Sequence, residues 1–175
     1  MAADLSLYAS DYQCSERTFQ LLTQAAGRAG RDERQGDVII QTYSPKHYCI
    51  EAAAAQDYER FFKRELEYRR LLHYPPVCTM MTLLVGSGEE AFVDAAAGKA
   101  YQQITAWERA AKTRGELQVI GPVNAPVYKL NDIYRKIIYM KSENYAILIQ
   151  IRTRTEEMLN AANVDGQLTI QFDFC

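Results

Sequence analysis

No stretch of about 18 apolar residues occurs in this chain, so nothing in it reads as a membrane-spanning helix. Its first residues lack a basic region followed by an apolar one, so they do not read as a secretion leader. Cysteine is sparse: Cys14, Cys49, Cys78 and Cys175, with no C-x-x-C pair. The two histidines, His47 and His73, stand in no ligand spacing with them, which excludes the usual structural zinc patterns. Scattered thiols without a leader point to reduced cysteines in a cytoplasm. A surplus of one charge is also lacking. The formal net charge is −2, and each side of Pro76 carries ten Lys+Arg and eleven Asp+Glu. A protein that coats nucleic acid by charge alone would be basic, so the balance counts mildly against that class and leaves room for a local basic patch. There is no G-x-x-x-x-G-K-[ST] phosphate loop, no internal repeat and no low-complexity tract.

What is present suits a soluble globular protein. The chain has 175 residues, of which 48% are hydrophobic and 24% charged. That is enough apolar material for one large core or two small ones. Tyr74-Pro75-Pro76 is the clearest punctuation, because a Pro-Pro pair cannot continue a helix and holds the preceding residue extended. The expected boundary therefore divides residues 1–76 from 77–175.

In the first part, Ser15 reads as an N-cap with Glu16 in the first turn. Phe19, Leu22 and Ala26 then recur at helical spacing, and the helix is expected to fade between Gly27 and Gly30. Asp37–Thr42, with Val38, Ile39 and Ile40, reads as a short buried strand. Asp57–Leu72 reads as an amphipathic helix. Tyr58, Phe61, Phe62 and Leu66 form its apolar face, and Arg60, Lys63, Arg64, Arg69 and Arg70 the opposite one.

In the second part, Thr79–Val85 reads as a buried strand. Glu89–Thr113 reads as a long helix with a stripe of Phe92, Ala96, Ala100, Ile104, Trp107 and Ala111. Leu117–Ile120 is a short strand, and Pro126–Leu130 and Tyr134–Met140 flank a turn at Asn131-Asp132. Glu143–Ala162 fits two readings. Tyr145, Ile147, Ile149 and Ile151 alternate like a strand, whereas Leu148, Ile151, Thr155 and Leu159 fit a helix. The helix is preferred because a strand would leave the sheet uncovered. With Leu168–Phe174 as the last strand, the order is β-α-β-β-α-β, a ferredoxin-like split βαβ sandwich.

The string with chemistry is Gln24-Ala25-Ala26-Gly27-Arg28-Ala29-Gly30-Arg31. Two arginines three apart sit at a helix end among glycines and small residues. A guanidinium is permanently charged and planar, so it clamps phosphate oxygens through paired hydrogen bonds. Gly27 and Gly30 would let the backbone turn both arginines outward, and the small residues would admit a second surface. The plainer reading is a helix C-terminus with dipole-complementing arginines and a glycine cap. The full string favours phosphate chemistry of the arginine-finger kind.

This string resembles motif VI of superfamily 2 helicases, Q-x-x-G-R-x-G-R, at Gln24, Gly27, Arg28, Gly30 and Arg31. With Ser15–Leu22 before it, Gly36–Tyr43 after it, then Asp57-Tyr58-Glu59, Glu65-Leu66, Arg69-Arg70 and Tyr74-Pro75-Pro76, the chain resembles the PriA (primosomal protein N′) family of replication-restart helicases. Beyond Pro76 the resemblance rests on Gly121-Pro122, Tyr134-Arg135 and the terminal strand to Asp173.

The resemblance implies a fold of the α/β plus α+β class: part of a RecA-like helicase lobe 2, then a C-terminal domain that binds branched DNA and partners. Most of the lobe's parallel strands would lie upstream. It implies that Arg31 is the finger on the γ-phosphate, that Arg28 assists it, and that Gln24, with Gly27 and Gly30, completes the ATP site. The parent would use ATP with Mg2+ and carry zinc, for which this chain has no ligands. The implied activity is that of an ATP-dependent 3′→5′ DNA helicase that restarts stalled forks and begins primosome assembly. Its implied partners are forked DNA, a single-strand-binding protein and helicase-loader proteins in a bacterial cytoplasm, at the nucleoid. Without a phosphate loop, or the helicase Asp-Glu pair that binds metal, this chain alone is expected not to hydrolyse ATP. A DNA- or protein-binding module with no catalysis of its own is the alternative. Arg135, Lys136 and Lys141 with Tyr134 and Tyr139 form a candidate basic-aromatic surface, for stacked bases or for an acidic tail. The basic face of Asp57–Leu72 is either a phosphate contact or a solvated face with intrahelical ion pairs.

Overall fold

A computed structural model of the chain describes residues 4–8, 11–29, 37–110, 115–163 and 166–175. The chain divides into two compact units, Met1–Leu72 and His73–Cys175. Tyr74, Pro75 and Pro76 fall in the second.

The described residues of the first unit form helices α1 (Asp4–Leu7), α2 (Cys14–Ala29), α3 (Tyr48–Ala54) and α4 (Tyr58–Leu71). Leu7, Phe19, Cys49, Ala52, Ala53 and Phe61 make their core, and the rings of Phe19 and Phe61 stack with centroids 4.3 Å apart. Ala52 and Ala53 are small enough to let α3 lie close against α2. Caps set two helix starts: His47 Nδ1 accepts from Cys49 N at the head of α3, and Asp57 Oδ1 accepts from Arg60 N at the head of α4.

Four expectations are corrected here. Ser15 does not cap α2; the helix has already begun at Cys14, and Asp11 Oδ1 receives the Gln13 amide just ahead of it. Asp37–Thr42 is not a buried strand. It holds one isolated bridge at Gln41, and Ile39 is 92% exposed. Its backbone needs neighbouring strands to pair with, and no strand exists among the described residues of this unit. On α4, Phe61 is buried with Glu65 and Arg69, while Tyr58 and Phe62 remain half exposed. Arg69 is therefore not on a solvent-facing basic stripe.

The second unit runs β1 (Thr79–Ser87), α5 (Glu90–Ala110), β2 (Gln118–Leu130), β3 (Ile133–Ser142), α6 (Tyr145–Ala162) and β4 (Thr169–Phe174). The sheet order is β2-β3-β1-β4, antiparallel throughout, with Leu83 opposite Ile138 and Phe172. That is the connectivity of a split βαβ sandwich. Period-two alternation turns Met81, Leu83 and Val85 of β1 and Ile138 and Met140 of β3 toward the helices. From α5 come Ala96, Ala100 and Ile104, and from α6 Ile147, Leu148, Ile151 and Leu159. Each large aliphatic side chain buried here contributes about 1.5–3 kcal/mol.

The ambiguous segment Glu143–Ala162 is a helix. Asn144 Oδ1 accepts from Ala146 N, and the buried positions 147, 148, 151, 155 and 159 follow helical spacing. In α5 the buried stripe holds Val93, not Phe92, which is exposed; Trp107 packs against the core from its edge, and Ala111 lies outside the described residues. Leu117–Ile120 and Pro126–Leu130 are not separate strands but belong with one strand, β2, which absorbs register shifts between Ile120 and Val123 and between Asn124 and Lys129. Gly121 makes the first shift possible. Its φ is +120°, and a Cβ there would lie 2.8 Å from the Ile137 carbonyl oxygen.

Candidate functional site

The arginine string lies at the C-terminal end of α2. Gln24 and Arg28 are four residues apart, hence on one face of the helix, and both are exposed. Gly27 is exposed too, and among the described residues outside its own stretch of helix nothing lies within 4 Å of where a Cβ would stand. It does not turn the chain, as the helix continues through it to Ala29. What Gly27 supplies is open space beside Arg28, in which a second surface can approach closely. Arg28 lies in the last turn, where carbonyl groups concentrate negative potential and a guanidinium is favoured. Gly30 and Arg31 lie outside the described residues.

At the other end of α2, Glu16 joins a group that sequence reasoning missed. Arg69 Nη2 donates to Glu16 at 2.8 Å and Arg69 Nε donates to Glu65 at 2.7 Å. The Tyr48 hydroxyl donates to the second oxygen of Glu65 at 2.6 Å, and the Arg69 guanidinium sits 5.4 Å from the Tyr12 ring centre. Glu65 and Arg69 are 5% and 8% exposed. Burial acts to lower the Arg69 pKa, and its two carboxylates outweigh that, leaving it above its ordinary value. Burial likewise pushes the Tyr48 hydroxyl up. The i, i+4 spacing of Glu65 and Arg69 is visible in the sequence. The 53-residue separation of Glu16 from Arg69 is not.

Three more residues of the α4 basic face are matched by carboxylates: Arg60 pairs with Glu51, Lys63 with Glu59 and Arg64 with Glu67. Of the two readings of this face, the geometry favours a solvated one with local ion pairs.

The four candidates on β3 are split by strand alternation. Tyr134 and Lys136 share a face with Ile138 and Met140, the helix side. Lys136 Nζ pairs with Asp94 of α5 at 2.6 Å. Tyr134 stands 5.7 Å from the Tyr128 ring and receives Lys129 over its face at 4.7 Å. Arg135 and Lys141 belong to the opposite parity, roughly 20 Å apart along the strand at 3.3 Å per residue. Arg135 donates through Nε and Nη2 to the Val127 carbonyl across the β2–β3 hairpin, at 2.9 and 2.6 Å. Lys141 is only 6% exposed, with Nζ 3.5 Å from the centre of the Tyr74 ring. Burial holds its ammonium below the usual lysine range, against a smaller opposing pull from Cys78. These residues do not make one basic-aromatic surface.

Lys141 instead lines a cleft of about 920 Å3 with His73, Cys78, Gln118, Asn144 and Tyr145. The head of the 18-residue helix α6 borders it at Asn144, Tyr145 and Ala146, with the Ala146 amide taken by Asn144 Oδ1, and the carboxylates Glu116 and Glu143 line it too. Nothing in the spacing of these residues marks them as neighbours in advance.

The sequence profile of the family described as Primosomal protein N C-terminal domain matches residues 70–174. It falls on the half whose family motifs are sparser. Among curated proteins the chain is similar to Replication restart protein PriA of Bacillus subtilis, 38% identical over 135 residues, covering 77% of this chain and 16% of that protein. The protein of the same name from a Synechocystis species is 36% identical over 153 residues, covering 85% and 17%. That of Thermotoga maritima is 36% identical over 166 residues, covering 95% and 21%. The chain thus spans about a fifth of these relatives' length.

Proposed function

The chain belongs to the primosomal protein N C-terminal domain family, and on that premise we propose that it is the C-terminal part of an ATP-dependent 3′→5′ DNA helicase. In this reading the parent protein restarts stalled replication forks and begins primosome assembly in a bacterial cytoplasm, at the nucleoid. The observation that carries it is the pair Gln24 and Arg28, exposed on one face of α2 beside the open space at Gly27.

Residues 1–76 would complete a RecA-like lobe 2 whose other strands come from upstream. Arg31 would contact the γ-phosphate of ATP held by the facing lobe, with Arg28 assisting and Gln24 linking nucleotide state to lobe closure. In hydrolysis, water oxygen bonds to the γ-phosphorus as the bond from that phosphorus to the bridging oxygen breaks. The electron pair departs with ADP, and the water's proton passes to a phosphate oxygen or to solvent. The arginines balance charge on the transferring phosphoryl oxygens, a contribution of about 10³–10⁵ in kcat for such fingers. Mg2+ accompanies the nucleotide, and zinc belongs elsewhere in the parent. Among the described residues no three His, Cys, Asp or Glu side chains lie close enough to hold a metal.

The test is turnover. The purified 175-residue chain is expected to show no DNA-stimulated ATP hydrolysis. In the full-length protein, Arg31→Ala and Arg28→Ala are expected to lower kcat about 10³-fold at unchanged thermal stability. Turnover by the isolated chain, or full activity in both variants, would refute the assignment.

A second reading, a binding module for primosome partners, draws support from the Lys141 cleft. An amine and a helix N-terminus lining one cleft, beside Glu116 and Glu143, suit a tail that brings a carboxylate to Lys141, such as the acidic tail of a single-strand-binding protein. Lys141→Met should weaken an acidic peptide at least tenfold in a fluorescence anisotropy titration, and an unchanged affinity would remove the cleft from consideration. Forked DNA is the other proposed partner, and any phosphate contact should weaken as salt rises.

A further inference from the structure

Three helices of the first unit are joined by one charged group. Arg69 on α4 reaches Glu16 on α2 through one nitrogen and Glu65 through another, and Tyr48 on α3 holds the remaining oxygen of Glu65. A second polar link to α2 is the Cys49 thiol of α3, which donates to the Ser15 carbonyl at 3.1 Å, and beyond it the packing at the core is apolar. Phe19 stacks nearly parallel on Phe61, 12° between ring planes, and small Ala52 and Ala53 face the same core. Such contacts are non-directional: a helix can slide or roll on stacked rings and methyl groups with little loss of buried area. A planar guanidinium shared between two carboxylates is directional, and it defines both the axial position and the roll of the helix bearing Glu16. The opposite end of α2, roughly 20 Å away at 1.5 Å per residue, carries Gln24 and Arg28.

We propose that Arg69 is a positioning residue for the arginine motif, acting through Glu16 and α2 to set where Gln24 and Arg28 point. The inference rests on reading that motif as nucleotide-facing. Arg69 touches no reacting group. It holds the register of the helix that presents them, and a displacement of about 1 Å at a reacting group costs on the order of 10²-fold in rate. Lysine cannot replace it, since an ammonium lacks the planar fork that meets Glu65 and Glu16 together.

The experiment uses the full-length protein and the double variant Glu65→Gln/Arg69→Met, which removes both buried charges, leaves the Glu16 carboxylate at a part-exposed position and keeps an acceptor for Tyr48. Arg69→Lys is the second variant. The expected result is a fall of about 10- to 100-fold in DNA-stimulated kcat for the double variant, with KM for ATP within twofold of wild type, and an intermediate fall for Arg69→Lys. A purely structural role would lower Tm while the folded fraction kept its kcat. A double variant with wild-type kcat therefore overturns the proposal, as does loss in KM alone. Arg28→Ala and Arg31→Ala run beside them as controls. If these two retain full turnover, the nucleotide reading itself has failed; if they lose it and the Arg69 variants do not, only the positioning role has failed.

Discussion

His47 shows what one side chain can do to the pH response of the first unit. Its Nδ1 accepts from the Cys49 amide at the head of α3, which a protonated ring cannot do. Burial lowers its pKa from 6.5, more than nearby Glu65 raises it. The unfolded chain then binds a proton more readily than the folded one. Stability is present in full above pH 6.5 and falls as pH drops from there through the lowered folded value. His47→Asn keeps a side-chain acceptor at the cap, so the loss of urea midpoint between pH 7 and pH 5.5 should shrink in that variant; an unchanged slope would assign it to other groups. Gly121 makes a second residue-scale prediction. A Cβ there meets the Ile137 carbonyl at 2.8 Å on a backbone with φ of +120°. Gly121→Ala should cost about 1–3 kcal/mol by urea denaturation. Neither effect is legible from residue type alone. A Gly-Pro pair signals a bend but not which carbonyl stands opposite, and a histidine before a helix does not reveal its burial.

At the scale of elements, periodicity carries the second unit well and the first less well. The α5 and α6 stripes and the alternating strands have their partners within the chain, so burial follows the pattern. Over Glu143–Ala162 both periods occur together, and the choice of helix follows from the sheet's need for cover. β2 reads as pieces because Gly121 and Pro122 interrupt its pattern, whereas the register shifts carry the ladder past them. In the first unit α4 misleads: Phe62 resembles a core residue and Arg69 a surface one, and the buried ion group reverses them. That group spans residues 16, 48, 65 and 69, and such long-range pairing leaves no periodic trace. The α5–sheet interface offers a direct test of packing. Ala100 is fully buried beneath β1 and β3. Ala100→Leu should overpack it by about 1–3 kcal/mol, seen as a lower denaturation midpoint with the far-UV spectrum retained.

For the whole molecule, the exposed segment at Val38 and Ile39 governs behaviour in the test tube. Val38 and Ile39 lie exposed in a stretch whose described residues form one isolated bridge, at Gln41, with Tyr43 at 94% exposure beyond it, and an exposed aliphatic stretch of this kind is a template for edge-to-edge pairing. Kept concentrated, the chain should form dimers and larger species through this stretch, and the effect should grow steeply with protein concentration. Ile39→Lys should suppress the larger species in light scattering while leaving the melting of the His73–Cys175 unit untouched. The same stretch that reads in sequence as a strand interior is thus expected to set the practical limit on how much of this protein stays in solution.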